Sequence, residues 1–394
     1  MAGPLTGYRV LDMSRVLAGP WAGQLLADLG ADVIKVERPK VGDDTRHWGP
    51  PYLKDTAGND TEDAAYFFSA NRGKRSLTVD ITQPEGQDII RKLASKVDVL
   101  IENYKVGGLA KYGLDYSSLE KLNPKLVYCS ITGFGQTGPY AQRPGYDFLI
   151  QGMAGLMSVT GEPDSQNGGG PTKVGVAVTD IFTGLYAANA IQGALLERHH
   201  SGMGQYIDLA LLDVQAAVMA NQASNYLIGG QIPGRLGNAH PNIVPYQAFA
   251  TLDSHVIVAV GNDQQFQRFC KAIGEPKWAD DQRYATNTAR VNNRVTLCGQ
   301  ITKHLKQQTS QYWLSKFEDH AVPCGPINTI DQVFDDPQIQ SRNMVLTMQD
   351  PRAGELRLVA NPINYSRSQI EYHLAPPQLG NQTIEILQEY LEYA

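Results

Sequence analysis

The chain has 394 residues, 42% of them hydrophobic and 19% charged, the composition of a soluble globular protein able to bury a large core. Its length exceeds the ~100–200 residues typical of one domain, which favours two domains or one with a large insertion. A formal charge of -6, from 34 basic and 40 acidic residues, argues against nucleic acid as the main partner and requires any site for an anionic ligand to be a local pocket. No leader-like N-terminal segment and no apolar run near the ~20 residues of a membrane helix is read, so a cytoplasmic protein with no membrane partner is expected. Cys129, Cys270, Cys298 and Cys324 stand far apart without a CxxC pair, which predicts buried small apolar residues rather than disulfides or a zinc site.

In chain order, the apolar run at 9–13, AGPWAGQLLADLGAD at helical period and then VIKVE read as a βαβ unit. The alternation continues with SLTVD (76–80), a helix opening at Pro84 with Ile89, Ile90, Leu93 and Val97 on one face, DVLIE (98–102) and KLVYCSI (125–131). This predicts an α/β fold with a doubly wound, mostly parallel, Rossmann-like sheet. Ligands of such sheets bind beyond the carboxyl ends of the strands, which singles out Ser14 and Arg15, Arg38, Asn103 and the stretch Gly133 to Gly138. An apolar helix is expected from Asp180 to about His199 and another over roughly 209–227. GGQIPGRLGNAHPN (229–242) reads as a linker or mobile loop. Beyond it, VIVAVG and several polar helices form a smaller α+β domain over 243–330, with a second linker at 331–339. Residues 340–394, with a hairpin-like MQDPRAGELRLV and a helix from about Thr383, return to the large domain of 1–228.

The string GFGQTG has dinucleotide-site spacing, but Pro139, Pro144 and Gly145 follow where that site needs a helix, so a glycine-rich turn is the better reading. No Walker A pattern is present, so ATP-driven activation has no visible machinery. Asp180 stands where PTKVGVAVTD gives way to the apolar helix. It is read as a helix N-cap whose carboxylate can also act as a covalent nucleophile. NGGG (167–170) lies upstream, as a surface loop or a lid over that carboxylate. Arg38, Lys74, Arg75 and Lys111 are either solvated charges or, gathered at strand ends, a pocket for a phosphorylated ligand. His240 stands without partners, and no metal site is expected.

Together these residues resemble the class III CoA-transferases, the CaiB/BaiF family. The resemblance covers nearly the whole chain. It rests on RVLDMSRVLAGPWAGQLLADLGADVIKVERP, NRGKRSLTVD, DVLIENY, SITGFGQTGP, GYD at 145–147, KVGVAVTDIFTGLYA, and VPYQAF with GNDQQF. Within the family the likeness is greatest to the succinyl-CoA:glutarate branch, through DDTRHWGPP, YCSITGFGQTGP, QRPGYD, IVPYQAF and VPCGPIN. The resemblance implies two chains threaded as an interlocked, ring-like homodimer with active sites between subunits. It implies acyl-CoA and a small carboxylic acid as substrates, with no permanently bound cofactor. It carries the nucleophile onto Asp180, CoA contacts onto Val16, Arg38, Arg72, Lys74, Arg75, Asn103 and Lys111, and substrate contacts onto Gln136, Tyr140, Gly168 and Gly169.

Two other activities remain at this stage. A racemase branch of the family carries a histidine base in a GHD string; here Tyr146 takes that place, and a phenol of pKa near 10 is a poor base at neutral pH. A non-catalytic CoA-binding protein would have no use for Asp180 in its motif. For the far carboxylate of a dicarboxylic acid, Arg46, Arg143 and Arg235 are the cations at hand.

Overall fold

The computed structural model describes residues 2–392. Its strands are β1 (Arg9–Asp12), β2 (Asp32–Glu37), β3 (Tyr52–Lys54), β4 (Asp60–Ala64), β5 (Lys74–Thr78), β6 (Val99–Glu102), β7 (Val127–Thr132), β8 (Tyr206–Ala210), β9 (Tyr246–Ala250), β10 (His255–Ala259), β11 (Cys324–Gly325), β12 (Val345–Asp350) and β13 (Gly354–Val359). By contacts along the chain they fall into two units. The first comprises Met1–Leu156, Val174–Ser224 and Pro337–Ala394; the second comprises Met157–Lys173 and Asn225–Asp336. Residues 157–173, expected within the large domain, thus pack with the second unit.

The first unit is built on a sheet in the order β5-β2-β1-β6-β7-β8, with every neighbouring pair parallel. Alternate residues of each strand face opposite sides. Val10, Val33, Val99, Ile101, Val127 and Cys129 join the core under the helices Ala18–Asp28 and Val178–Ser201. Leu11, Ile34, Leu77, Leu100 and Tyr128 face the opposite core, which also contains Ile90, Leu93, Ile386 and Tyr390 from the helices Pro84–Ala94 and Thr383–Leu391. With helices on both faces, the strands read as continuous apolar runs. Strand order reverses between β1 and β6, so a crevice opens there at the carboxyl ends of the strands. The antiparallel hairpins β3–β4 and β12–β13 belong to this unit.

β8 departs from the reading of 209–227 as one helix. Tyr206, Ile207 and Leu209 extend the sheet, and the chain then forms two short helices, Leu211–Ala217 and Ala220–Leu227, broken where Ala220 takes a φ of 45°. The strand expected over 76–80 begins and ends two residues earlier, at Lys74 and Thr78. In the second unit β9, β10 and β11 form an antiparallel sheet. Its core joins Phe249, Phe266, Phe269, Trp313 and Phe317 across the helices Asp263–Ala272 and Ser310–Asp319. Residues 331–339, expected as a linker, overlap the helices Ile330–Asp335 and Pro337–Ser341. No helix of the described residues is long and apolar enough to cross a membrane.

Candidate active site

A cleft of about 520 Å³ opens at the carboxyl ends of the strands of the first unit, where strand order reverses. Its floor is made by the segments that leave β1, β2, β5, β6 and β7: Arg15 to Ala18, Arg38, Val79 to Thr82, Asn103 to Val106, and Thr132 with Gly133. Asn103 ties two of these together. Its Oδ1 accepts from the Arg15 N–H at 2.9 Å and its Nδ2 donates to the Arg15 carbonyl at 2.7 Å.

Asp180 enters the cleft from the amino end of the helix Val178–Ser201. It is the third residue of that helix, not its cap. The cap position is Ala177, which has no side chain to close the first turn. Asp147 supplies the missing acceptor: its Oδ1 takes the Thr179 N–H at 2.8 Å, while its Oδ2 is held by Gln151 Nε2 at 2.7 Å. The Thr179 hydroxyl in turn donates to Gln215 at 2.7 Å. Asp147 therefore does the capping, and Asp180 is left half-buried with no hydrogen bond to any described residue. Burial, followed by repulsion from the Asp147 carboxylate, pushes the Asp180 carboxyl up to about 7. An unpaired carboxyl with a raised pKa in a cleft makes Asp180 a candidate for chemistry.

Cations surround it in two very different ways. Arg38, Lys105, Lys111 and Arg143 line the cleft, are exposed, and form no salt bridge among the described residues, although the Arg38 charge acts on the Asp80 carboxylate of the same cleft. Lys111 lies over the Tyr112 ring at 4.6 Å and Arg143 over the Tyr140 ring at 4.2 Å. Lys105, two residues beyond Asn103, is the one that sequence reasoning missed, although its place after β6 carried the same signal as Asn103.

Arg72, Lys74 and Arg75, expected as CoA contacts, do not line this cleft. They lie at the amino end of β5, opposite the end where ligands of a parallel sheet bind. All three are engaged inside the protein. Arg72 grips Asp28 with two bonds of 2.8 and 2.6 Å. The buried Lys74 ammonium bonds Asp12 at 2.8 Å, the Pro20 carbonyl at 2.8 Å and Asn71 at 2.9 Å. Arg75 holds Asp32, Glu385 and Glu389. Gly23 gives the Lys74 pair its room, since a Cβ there would lie 2.7 Å from Asp12 Oδ2. Burial brings the Lys74 ammonium down to about 8 despite the Asp12 carboxylate beside it. It is Val79 to Thr82, beyond the carboxyl end of β5, that face the cleft.

Other expected contacts separate similarly. Val16 and Asn103 line the cleft. Gln136 does not: its amide donates to Ser130 Oγ at 2.9 Å beside a smaller cavity lined by Glu102, Tyr116 and Tyr206. Tyr140 packs edge-on against Phe134 at 5.7 Å and is not among the cleft residues. In the glycine-rich turn, the amides of Gly135 and Gln136 are already donated to Thr132 and Asp208, at 2.8 and 3.1 Å. Gly133 reaches the cleft, and its backbone crosses that of Gly145 so closely that a Cβ on Gly133 would lie 2.6 Å from the Gly145 Cα. Gly168 and Gly169 belong to the second unit, where the Gly169 and Gly170 amides bond the carbonyls of Gln166 and Glu162 at 3.0 and 3.2 Å. Arg46 is fully buried between Glu37 and Asp63, all contacts at 2.8 Å, and Arg235, in the second unit, pairs with Asp164. Of the three arginines considered for a far carboxylate, Arg143 alone lines the cleft.

A doubly wound sheet thus presents a crevice in which exposed cations stand together with the Asp180 carboxyl. The chain belongs to CoA-transferase family III, whose model matches residues 5–383, and is thereby an acyl-CoA:carboxylate CoA-transferase. It is 53% identical over 386 residues to the succinate–glutarate CoA-transferase of Agrobacterium fabrum, covering 98% of this chain and 95% of that one. It is 44% identical over 390 residues to the succinyl-CoA:glutarate CoA-transferase of Homo sapiens, covering 99% of this chain and 86% of that one. A CAIB/BAIF family protein from Brucella suis, of known crystal structure, superposes with a TM-score of 0.85 at 49% identity, covering 99% of this chain and all of the other.

Proposed function

We propose that the protein transfers CoA from succinyl-CoA to a dicarboxylate such as glutarate, with Asp180 as the covalent relay. The observation that carries this reading is the unpaired, proton-affine Asp180 carboxyl in one cleft with four exposed cations that form no salt bridge among the described residues. The phosphates of CoA fall to Arg38, Lys105 and Lys111, with the backbone at Val16 and the Asn103-tied loops forming the rest of that edge. Arg143 takes the far carboxylate of the acid.

The chemistry balances without an external energy source. The Asp180 carboxylate attacks the thioester carbonyl of succinyl-CoA, forming a mixed anhydride and releasing CoA thiolate. The thiolate attacks the aspartyl carbonyl of that anhydride, leaving an aspartyl-CoA thioester and free succinate. Glutarate then attacks the aspartyl thioester to give a second anhydride and thiolate. Thiolate attack on the glutaryl carbonyl yields glutaryl-CoA and restores the carboxylate. Each step exchanges one activated carboxyl for another of similar energy. The backbone amide at Gly133, which lines the cleft, is the donor we assign to the developing oxyanions, worth about 3 kcal/mol.

Two further features complete the reading. Tyr146, Phe148, Leu149, Phe182 and Tyr186 expose apolar side chains on the first unit, which supports association into the homodimer, interlocked as in the family. Four unpaired cysteines support a cytoplasmic location. The decisive experiment feeds labelled glutarate and succinyl-CoA to the protein. Label appearing in glutaryl-CoA supports the reading. Deuterium entering the α-position of a 2-methylacyl-CoA without any acceptor acid would replace it with racemisation.

A further inference from the structure

Val16 is held in a backbone conformation that its own side chain disfavours. Its φ is 72°, in the left-handed region where a β-branched residue crowds its own backbone. It also lines the cleft, in the connection between β1 and the helix Ala18–Asp28.

The surrounding hydrogen bonds show what holds it there. The Ser14 N–H and hydroxyl both go to Asp12, and the Ser14 carbonyl accepts from Lys35 Nζ at 3.1 Å. Arg15 is bonded through both backbone groups to Asn103. The Val16 N–H donates to both oxygens of Asp43, at 3.2 and 3.3 Å. Asp43 is itself immobilised. It is buried, its Oδ1 takes the Thr45 N–H at 3.0 Å and the Thr45 hydroxyl at 2.8 Å, and its Oδ2 takes Lys35 Nζ at 2.8 Å. The same ammonium thus anchors the loop on one side of Val16 and the carboxylate on the other.

We infer that Asp43, backed by Lys35, is a positioning residue that imposes the left-handed turn at Val16 and so shapes the CoA-binding edge of the cleft. With one carboxylate oxygen replaced by an amide NH2, Asp43 can no longer hold Val16, Thr45 and Lys35 together, so Val16 relaxes toward negative φ, its carbonyl swings, and the edge loses its fit to the ligand. Lys35 holds the carboxylate ionised, with the Asp43 pKa lowered to about 2 against the opposing effect of burial, so the device works across the physiological pH range. This inference rests on the cleft being the CoA site.

The test is a double-mutant cycle in the full-length protein, read as KM for succinyl-CoA, kcat and the thermal midpoint. Asp43→Asn is expected to raise KM about tenfold with kcat changed by less than about threefold. Glycine adopts a φ of 72° freely, so in the Val16→Gly background the same substitution should change KM by less than about threefold. A purely structural Asp43 would give the same effect in both backgrounds, which overturns the inference, as does a fall in kcat at constant KM. Should Asp43→Asn alone not fold, recovery of folded protein in the double variant supports the inference, and failure of the double while Val16→Gly folds overturns it. Arg38→Ala, assayed alongside, separates the two levels. A raised KM there with an uncoupled Asp43 effect removes only the positioning role, whereas unchanged KM in both variants removes the cleft assignment as well.

Discussion

The basic residues at the two ends of the large parallel sheet differ in everything except charge. At its amino end Arg72, Lys74 and Arg75 are buried or nearly so, each matched to carboxylates inside the fold. At the carboxyl ends of the sheet Arg38, Lys105, Lys111 and Arg143 are exposed and outside any salt bridge among the described residues. Strand direction explains the contrast. In a parallel doubly wound sheet one end is closed by packing and the other opens at the strand-order reversal, so a cation's function depends on which end of its strand it occupies.

Substitutions can break this comparison, beginning with the centre of the open end. Asp180→Asn should lower CoA exchange about 10³-fold or more, because the carbonyl relay itself is gone. At the closed end, Arg72→Ala should cost about 3–5 kcal/mol of stability in denaturant unfolding, since Asp28 is left buried without its ion-pair partner. At the open end Lys111→Ala should shift stability by no more than about 0.5 kcal/mol yet raise KM for succinyl-CoA roughly tenfold. A closed-end variant that binds CoA poorly while fully stable, or an open-end variant that unfolds, would contradict the division.

A subtler effect concerns protonation. The Asp147 charge helps raise Asp180, so Asp147→Asn should move the acidic limb of kcat/KM from near pH 7 to lower pH. The stability sign is opposite to that of a paired carboxylate. The folded pKa of Asp180, about 7, lies above its ordinary 3.8, so the native state is penalised as pH rises between those values and carries the full penalty above about 7. Asp180→Asn should therefore raise the thermal midpoint at pH 8 and leave it nearly unchanged at pH 4. An equal shift at both values would place the effect elsewhere.

The alternation of apolar strands and periodic helices was legible because each strand from β1 to β7 in the large sheet is bounded by turn residues. β8 was not legible: YIDLA runs straight into LLDVQAA, and a short edge strand followed at once by a helix offers no break in the apolar pattern. Asp180 stood out by its place at the start of an apolar helix. Its relation to Asp147, 33 positions earlier in the numbering (180 − 147), is a tertiary contact that no local pattern encodes. The two-residue displacement of β5 had the largest functional consequence, because it sets Arg72 to Arg75 on the closed side and Val79 to Thr82 in the cleft. Arg46 shows the same limit. Its carboxylate partners lie on β2 and β4, and only the fold brings them together.

In the proposed reaction Asp180 becomes joined to CoA through sulfur during turnover. The most direct measurement is to mix the protein with succinyl-CoA, quench with borohydride and weigh the peptide spanning the start of the helix Val178–Ser201 by mass spectrometry. The expected result is reduction of the Asp180 side chain to an alcohol, dependent on succinyl-CoA and lost when excess succinate discharges the thioester. An unmodified Asp180 under conditions of measured CoA exchange would contradict it.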